Sequence, residues 1–418
     1  MASVKNKQFP YHKYILVSLL YFFIVAILGT LLRSVTYFNI PFEYANIIHA
    51  HSHVAFQGWV YTCLFLILTR LYIKKEKLIR GKYILQFLLT TLAVFGVLIA
   101  FTAQGYGLYS IIFSTLFQAL NYWFIYRFFK DTRSKGSSLS LKFIKTGLGF
   151  GLLSSLFPFV IGYTSAKGLN GTEFYNSLIY SFMHLQYNAW FLLIVVGLFY
   201  ELLERLGIKI SKRQGEIFFW CISIAVIPAI SLSLLGMSFA NLLQIPAWFS
   251  VVMQSIGLVF FIKSLQTQKW YRPNGKEFWQ RLFVVLFIAT FTLKTGLQSL
   301  SIIPYFSDYA FLNKFIFLAY LHLSLLGVVS FSLISMAIHF KWISTDFLSK
   351  IGFGLLLLGF IITETILATG GLGIFYSTEL LLFGSASMAM GIFFLILNIV
   401  ISRPEENNIS STPLKVIK

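Results

Sequence analysis

The sequence predicts an all-α polytopic membrane protein: twelve transmembrane helices with both termini cytoplasmic. Two observations carry this reading, an apolar composition and basic residues confined to alternate loops. Of 418 residues, 57% are hydrophobic and 11% charged. The mean hydropathy of +0.78 lies far from the balance of a soluble domain. Apolar stretches of about 20 residues, enough to cross a hydrocarbon core of roughly 30 Å, recur along the chain. They leave no segment long enough for a soluble domain.

The expected spans are Tyr14–Leu32, Ala45–Thr69, Tyr83–Gln104, Tyr106–Tyr126, Phe143–Ser165, Phe174–Leu203, Glu216–Gly236, Leu242–Ile262, Trp279–Leu300, Phe311–His339, Leu348–Thr369 and Phe375–Ile401. Only Gly105 separates the third from the fourth, which implies a tight helical hairpin. The first follows Lys5, Lys7 and Lys13 and runs past signal-peptide length without a small-residue cleavage site, so it reads as a retained helix. Every Lys and Arg except Arg33, Lys167, Lys294 and Lys314 falls on the side of the N-terminus, the positive-inside pattern. One span more or fewer would invert every later loop, so this asymmetry also supports twelve. The net charge of +19 is therefore an orientation signal and not a nucleic-acid-binding surface. Residues 1–402 read as one transmembrane domain. The tail 403–418, with Pro404, Glu405, Glu406 and a Ser/Asn run, reads as disordered. Cys63 and Cys221 lie in different spans and read as small core residues.

With this topology, position along a span becomes depth, at about 1.5 Å per residue. His49, His51 and His53 on span two, His184 on span six and His322 on span ten then share one layer, roughly 6 to 16 Å below the outer helix ends. His12 and His339 fall at the cytoplasmic edge. A single buried histidine is commonly satisfied by a carbonyl or a serine on a neighbouring helix. Five at one depth favour a shared site for a metal, a haem or protons, because ionisable groups are costly in a bilayer. His49 and His53 are four apart and share a helix face, and His51 points about 200° away. The run His184-Leu185-Gln186-Tyr187-Asn188-Ala189-Trp190 carries too much hydrogen-bonding capacity to face lipid.

Charges also occur inside spans. Lys294 and Glu364 match in depth, and Thr290, Lys294 and Gln298 form one polar stripe. A Lys294–Glu364 pair between helices is expected as a structural pair, a proton route or a propionate-binding element, with Glu379 as the competing partner.

Histidines at one depth on spans two, six and ten, in a twelve-helix chain with cytoplasmic ends, resemble the haem–copper oxidase subunit I superfamily, nitric oxide reductases included. The His49-Ala50-His51 opening is also similar to the NnrS family. The resemblance implies a pseudo-threefold bundle of three four-helix arcs in the bacterial cytoplasmic (inner) membrane. It implies His322 with His49 or His53 as axial haem ligands, and His51 with His184 as a second site for copper or substrate. Gly327, five residues after His322, matches the reductase branch. Three departures stand against a complete oxidase: no histidine on span seven, no His-Pro-Glu motif on span six, and Tyr320 where the second histidine of span ten would be. The implied function is electron transfer, or redox chemistry of nitric oxide or oxygen, without the full dinuclear centre. The implied cofactors are haem and possibly copper, and the implied partners are lipid, a quinol or cytochrome donor, or a redox subunit. The alternatives are a metal or proton-coupled transporter using the histidine layer with Lys294 and Glu364, and a haem-binding sensor or assembly factor.

Overall fold

The computed structural model describes residues 9–265 and 278–402. Among these residues every regular element is helical. Eleven helices are long and apolar enough to cross a membrane, and a bent pair adds a twelfth if it is one broken span. In order they are Tyr11–Ser34, Tyr44–Tyr72, Tyr83–Gln104, Leu108–Asp131, Leu139–Ala166, Glu173–Arg205, the pair Lys212–Ala225 and Pro228–Leu234, Ala240–Leu265, Phe278–Leu300, Lys314–His339, Phe347–Gly371 and Thr378–Ser402. They are called spans one to twelve below.

The breaks have local causes. Pro228 donates no N–H and disfavours helical backbone at the residue before it. Span seven accordingly bends by 53° at that point and continues as a 3-10 segment. Pro158 similarly opens the second half of span five, after an interruption at Ser155 and Leu156. The hairpin between spans three and four uses residues 105–107, not Gly105 alone. Gly105 has φ +59°, and a Cβ there would lie 2.3 Å from Asn46 Oδ1, so both its conformation and its neighbour require glycine. A separate helix, Pro304–Leu312, precedes span ten, which therefore starts at Lys314 and not at Phe311. The tail 403–418 lies outside the described residues.

Spans two, six and ten form the centre. Their most apolar windows are 78%, 89% and 78% buried, against 33–50% for the other spans that cross as single helices. Packing repeats every four spans. Span two lies between one and three, six between five and seven, and ten between nine and eleven. Spans four, eight and twelve pack outside on three, seven and eleven.

The three central spans share a further pattern. Each holds one stretch of π-helix, Ala55–Val60, Leu185–Trp190 and Leu323–Ser330, which starts one or two residues after the last layer histidine, His53, His184 or His322. On the C-terminal side of these stretches nearly every residue is buried, as from Phe191 to Tyr200. On the N-terminal side few are: only Ser181 and His184 in Glu173–His184, and none in Lys314–His322. The histidine layer thus sits at the border between a less buried half and a close-packed half of the bundle.

Spans eleven and twelve meet through glycines. A Cβ at Gly359 would lie 2.3 Å from the carbonyl oxygen of Gly384, and one at Gly391 would lie 2.6 Å from that of Gly352. Small residues allow such close approach between membrane helices. Gly359→Val is therefore expected to lower the thermal midpoint of the detergent-solubilised protein, at a cost of about 1–3 kcal/mol for overpacking. Gly354→Val, at a position with nothing within 4 Å of the added Cβ, should leave the midpoint nearly unchanged.

Candidate functional site

Two polar clusters occupy the histidine layer, one on each side of span ten. The first joins spans one, two, ten, eleven and twelve. His51 Nδ1 lies 3.0 Å from the carbonyl oxygen of Val25 on span one. A carbonyl only accepts, so Nδ1 carries the proton and Nε2 keeps its lone pair. The ring rests on Gly29, where a Cβ would come 3.1 Å from His51 Cε1. His322 Nδ1 faces Glu364 Oε1 at 3.7 Å, beyond hydrogen-bond length. Both atoms are buried without a hydrogen-bond partner. The two side chains nonetheless keep 22% and 17% of their accessible surface, so they border a gap in the packing. Arg33 donates through Nη1 to Ser385 Oγ (2.6 Å), Leu381 O (3.0 Å) and Thr363 Oγ1 (3.2 Å), tying span one to eleven and twelve. Arg33 and His51 are both within electrostatic reach of His322, and Arg33 is within reach of Glu364.

The second cluster joins spans six, seven, nine and ten. His184 is fully buried. Its Nε2 donates to the carbonyl of Val226 at 3.1 Å, at the break in span seven, where regular helical bonding stops. Its Nδ1 accepts from Asn188 Nδ2 at 3.1 Å, with Ser233 Oγ at 3.4 Å. Both ring nitrogens are thus engaged. Lys294, 2% exposed, donates from Nζ to Gln298 Oε1 at 2.7 Å and lies 5.8 Å from the centre of the Tyr320 ring. Tyr320 Oη reaches Gln298 Oε1 at 3.1 Å and Asn188 Oδ1 at 3.4 Å.

His49 and His53 belong to neither cluster. Both face the hairpin of spans three and four. His53 stacks on Phe101 with ring centres 4.2 Å apart, and its Nε2 is 3.0 Å from Tyr106 Oη. His49 meets the Tyr106 ring edge-on at 4.5 Å.

These placements correct the sequence reading at three points. Lys294 and Glu364 match in depth but do not pair. Lys294 turns to Gln298 on its own helix, and Glu364 turns to His322 and Arg33. Glu379 pairs with neither, bonding Ser377 Oγ at 2.7 Å. The residue of span two that approaches His322 is His51, while His49 and His53 turn away, and His51 and His184 fall in different clusters. Among the described residues no three His, Cys, Asp or Glu side chains converge to hold a metal ion. Cys63 and Cys221 are free thiols, as expected. Arg33, Tyr106 and Gly29 were not anticipated at the layer. For Arg33 a signal existed, since it is one of four cations that do not fall on the side of the N-terminus.

Fold and layer together define a helical multi-pass membrane protein with ionisable groups concentrated in one half of its core. Compared with known family models and with curated proteins, the chain finds no match.

Removing Arg33 would leave Glu364 without its nearby cation. Arg33→Met, which also removes the hydrogen bonds to Ser385, Leu381 and Thr363, is expected to destabilise the protein by about 1–3 kcal/mol. Adding Glu364→Gln should recover part of that loss in thermal melts of the double variant.

Proposed function

We propose that the protein binds a haem between spans two and ten, that His51 and His322 would hold it through their Nε2 atoms, and that it is an electron-transfer relative of the haem–copper oxidase subunit I bundle. One observation carries the reading. Of the five layer histidines, His51 has its Nδ1 tied to a backbone carbonyl and His322 has its Nδ1 turned toward a carboxylate, and no hydrogen bond among the described residues engages either Nε2. That is how metal-bound imidazoles are oriented, with the outer nitrogen on a carbonyl or carboxylate. His184 and His53, with both ring nitrogens near partners, fit a structural role better.

The residues present fit such a group. His322 Nδ1 and Glu364 Oε1 are unsatisfied across 3.7 Å, beside a gap that both border. A haem bound there supplies one-electron transfer, its potential set by ligands and burial. The chain's own groups orient the rings: Val25 O fixes the tautomer of His51, Glu364 faces the outer nitrogen of His322, and Arg33 balances the charge of Glu364. The repeat of packing every four spans and the three π-helical stretches support the pseudo-threefold relationship. The basic loops support cytoplasmic termini in a bacterial inner membrane, with a quinol or cytochrome donor acting near the outer face. Copper at His51 and His184 finds no support, since they do not approach each other.

The purified protein should show a Soret band that His51→Ala and His322→Ala abolish and that His49→Ala and His53→Ala preserve. Glu364→Gln should weaken haem retention about 10–100-fold, the usual effect of losing an outer-shell partner. A colourless wild type without iron by elemental analysis would overturn the reading.

A second reading, transport of a metal ion or protons, is favoured by the break in span seven beside His184, because discontinuous helices line transport paths. Metal uptake into proteoliposomes by a haem-free preparation would select it.

A further inference from the structure

We propose that the polar cluster shared by spans six, seven, nine and ten is a binding site for a small monovalent anion of the size of chloride, formate or nitrite, with Lys294 as its charge partner. The proposal is independent of a haem at His51 and His322.

Charge comes first. Lys294 is buried at 2% exposure, and among the described residues no carboxylate forms an ion pair with it. An ammonium in a low-dielectric interior costs several kcal/mol unless something of opposite charge meets it. Glu364, the carboxylate at the same depth, is committed to the other side of span ten with Arg33 and His322. His184, within electrostatic reach of Lys294, has its lone pair engaged by Asn188 and cannot balance the charge.

Hydrogen-bond capacity points the same way. Lys294 spends one of its three N–H groups on Gln298 Oε1. The Gln298 oxygen also receives Tyr320 Oη, and no bond among the described residues uses the Gln298 Nε2 hydrogens. Asn188 commits one amide hydrogen to His184. Gln298 Oε1 and His184 Nδ1 are already taken, the one hydroxyl hydrogen of Tyr320 serves either Gln298 Oε1 or Asn188 Oδ1, and the N–H groups left over on Lys294, Gln298 and Asn188 outnumber the acceptor positions that remain. A surplus of buried donors around an uncompensated cation is the complement of an anion. Ser233 Oγ on the bent part of span seven adds a further polar flank.

The test is calorimetric titration of full-length protein in detergent, in chloride-free buffer, with sodium chloride, formate and nitrite. Saturable binding at one site per chain is expected for at least one of them, together with a raised melting midpoint. Lys294→Met should abolish it, and Gln298→Leu should weaken it about tenfold, as for one lost charge-assisted bond. Lys350→Met, an exposed cation of the cytoplasmic side, should bind as the wild type does. If Lys294→Met does not fold, the comparison of Gln298→Leu with wild type carries the test. No saturable binding to the wild type, or equal affinity in Lys294→Met or Gln298→Leu, overturns the proposal.

Discussion

A bilayer gives a buried polar group no water, so each must be met from within the protein. The half of this bundle that carries the histidine layer is organised by that demand. Span ten divides it. Tyr320 and His322 are two residues apart and therefore point about 200° from one another. His322 faces Glu364, with His51 and Arg33 in reach, while Tyr320 reaches Gln298 and Asn188. One helix thus supplies a polar group to each of two clusters, and the clusters differ in charge. Arg33 and Glu364 lie within electrostatic reach of one another on one side; among the described residues no carboxylate pairs with Lys294 on the other.

The π-helical stretches give the central spans the freedom to do this. A residue inserted into an α-helix shifts everything beyond it by about 100° around the axis, and such stretches are found mostly at functional sites. Here the shift falls between the histidines and the inner apolar turns. The inner turns, such as Tyr61–Leu68 and Phe191–Tyr200, can then keep a continuous packed face while the outer turns aim imidazoles at their own neighbours. Without the shift, one register would have to satisfy both demands. Three central spans with the same interruption at the same depth argue for one architectural solution used three times.

Much of this was legible in the chain, and the boundary of what was not is physical. Span number and the depth of His49, His51, His53, His184 and His322 follow from helix rise and the placement of basic residues, both linear in sequence. Rotation about the helix axis is not. Spacing shows that His51 opposes His49 and His53, but which of them meets span ten depends on how span two is turned against Val25, Gly29 and Phe101. The same gap explains Lys294 and Glu364, whose equal depth said nothing of azimuth. The bend in span seven was marked by Pro228, yet its use, presenting the Val226 carbonyl to His184, depends on a contact 42 residues away in sequence.

The occupation of each imidazole separates the roles of the layer better than position does. His184 donates from one nitrogen and accepts at the other, so ligation would break bonds it already holds. His51 is anchored at Nδ1 alone, which fixes the ring and leaves a lone pair aimed away from Val25. His322 is aimed in the same sense by Glu364, at a separation that a small movement would close to a hydrogen bond. On the Tyr320 side, the hydroxyl lies within hydrogen-bond reach of Gln298 and Asn188, and the buried lysine there is Lys294. The two sides of span ten therefore differ in what they present: two imidazoles beside a carboxylate on one, and a buried lysine among amide side chains on the other.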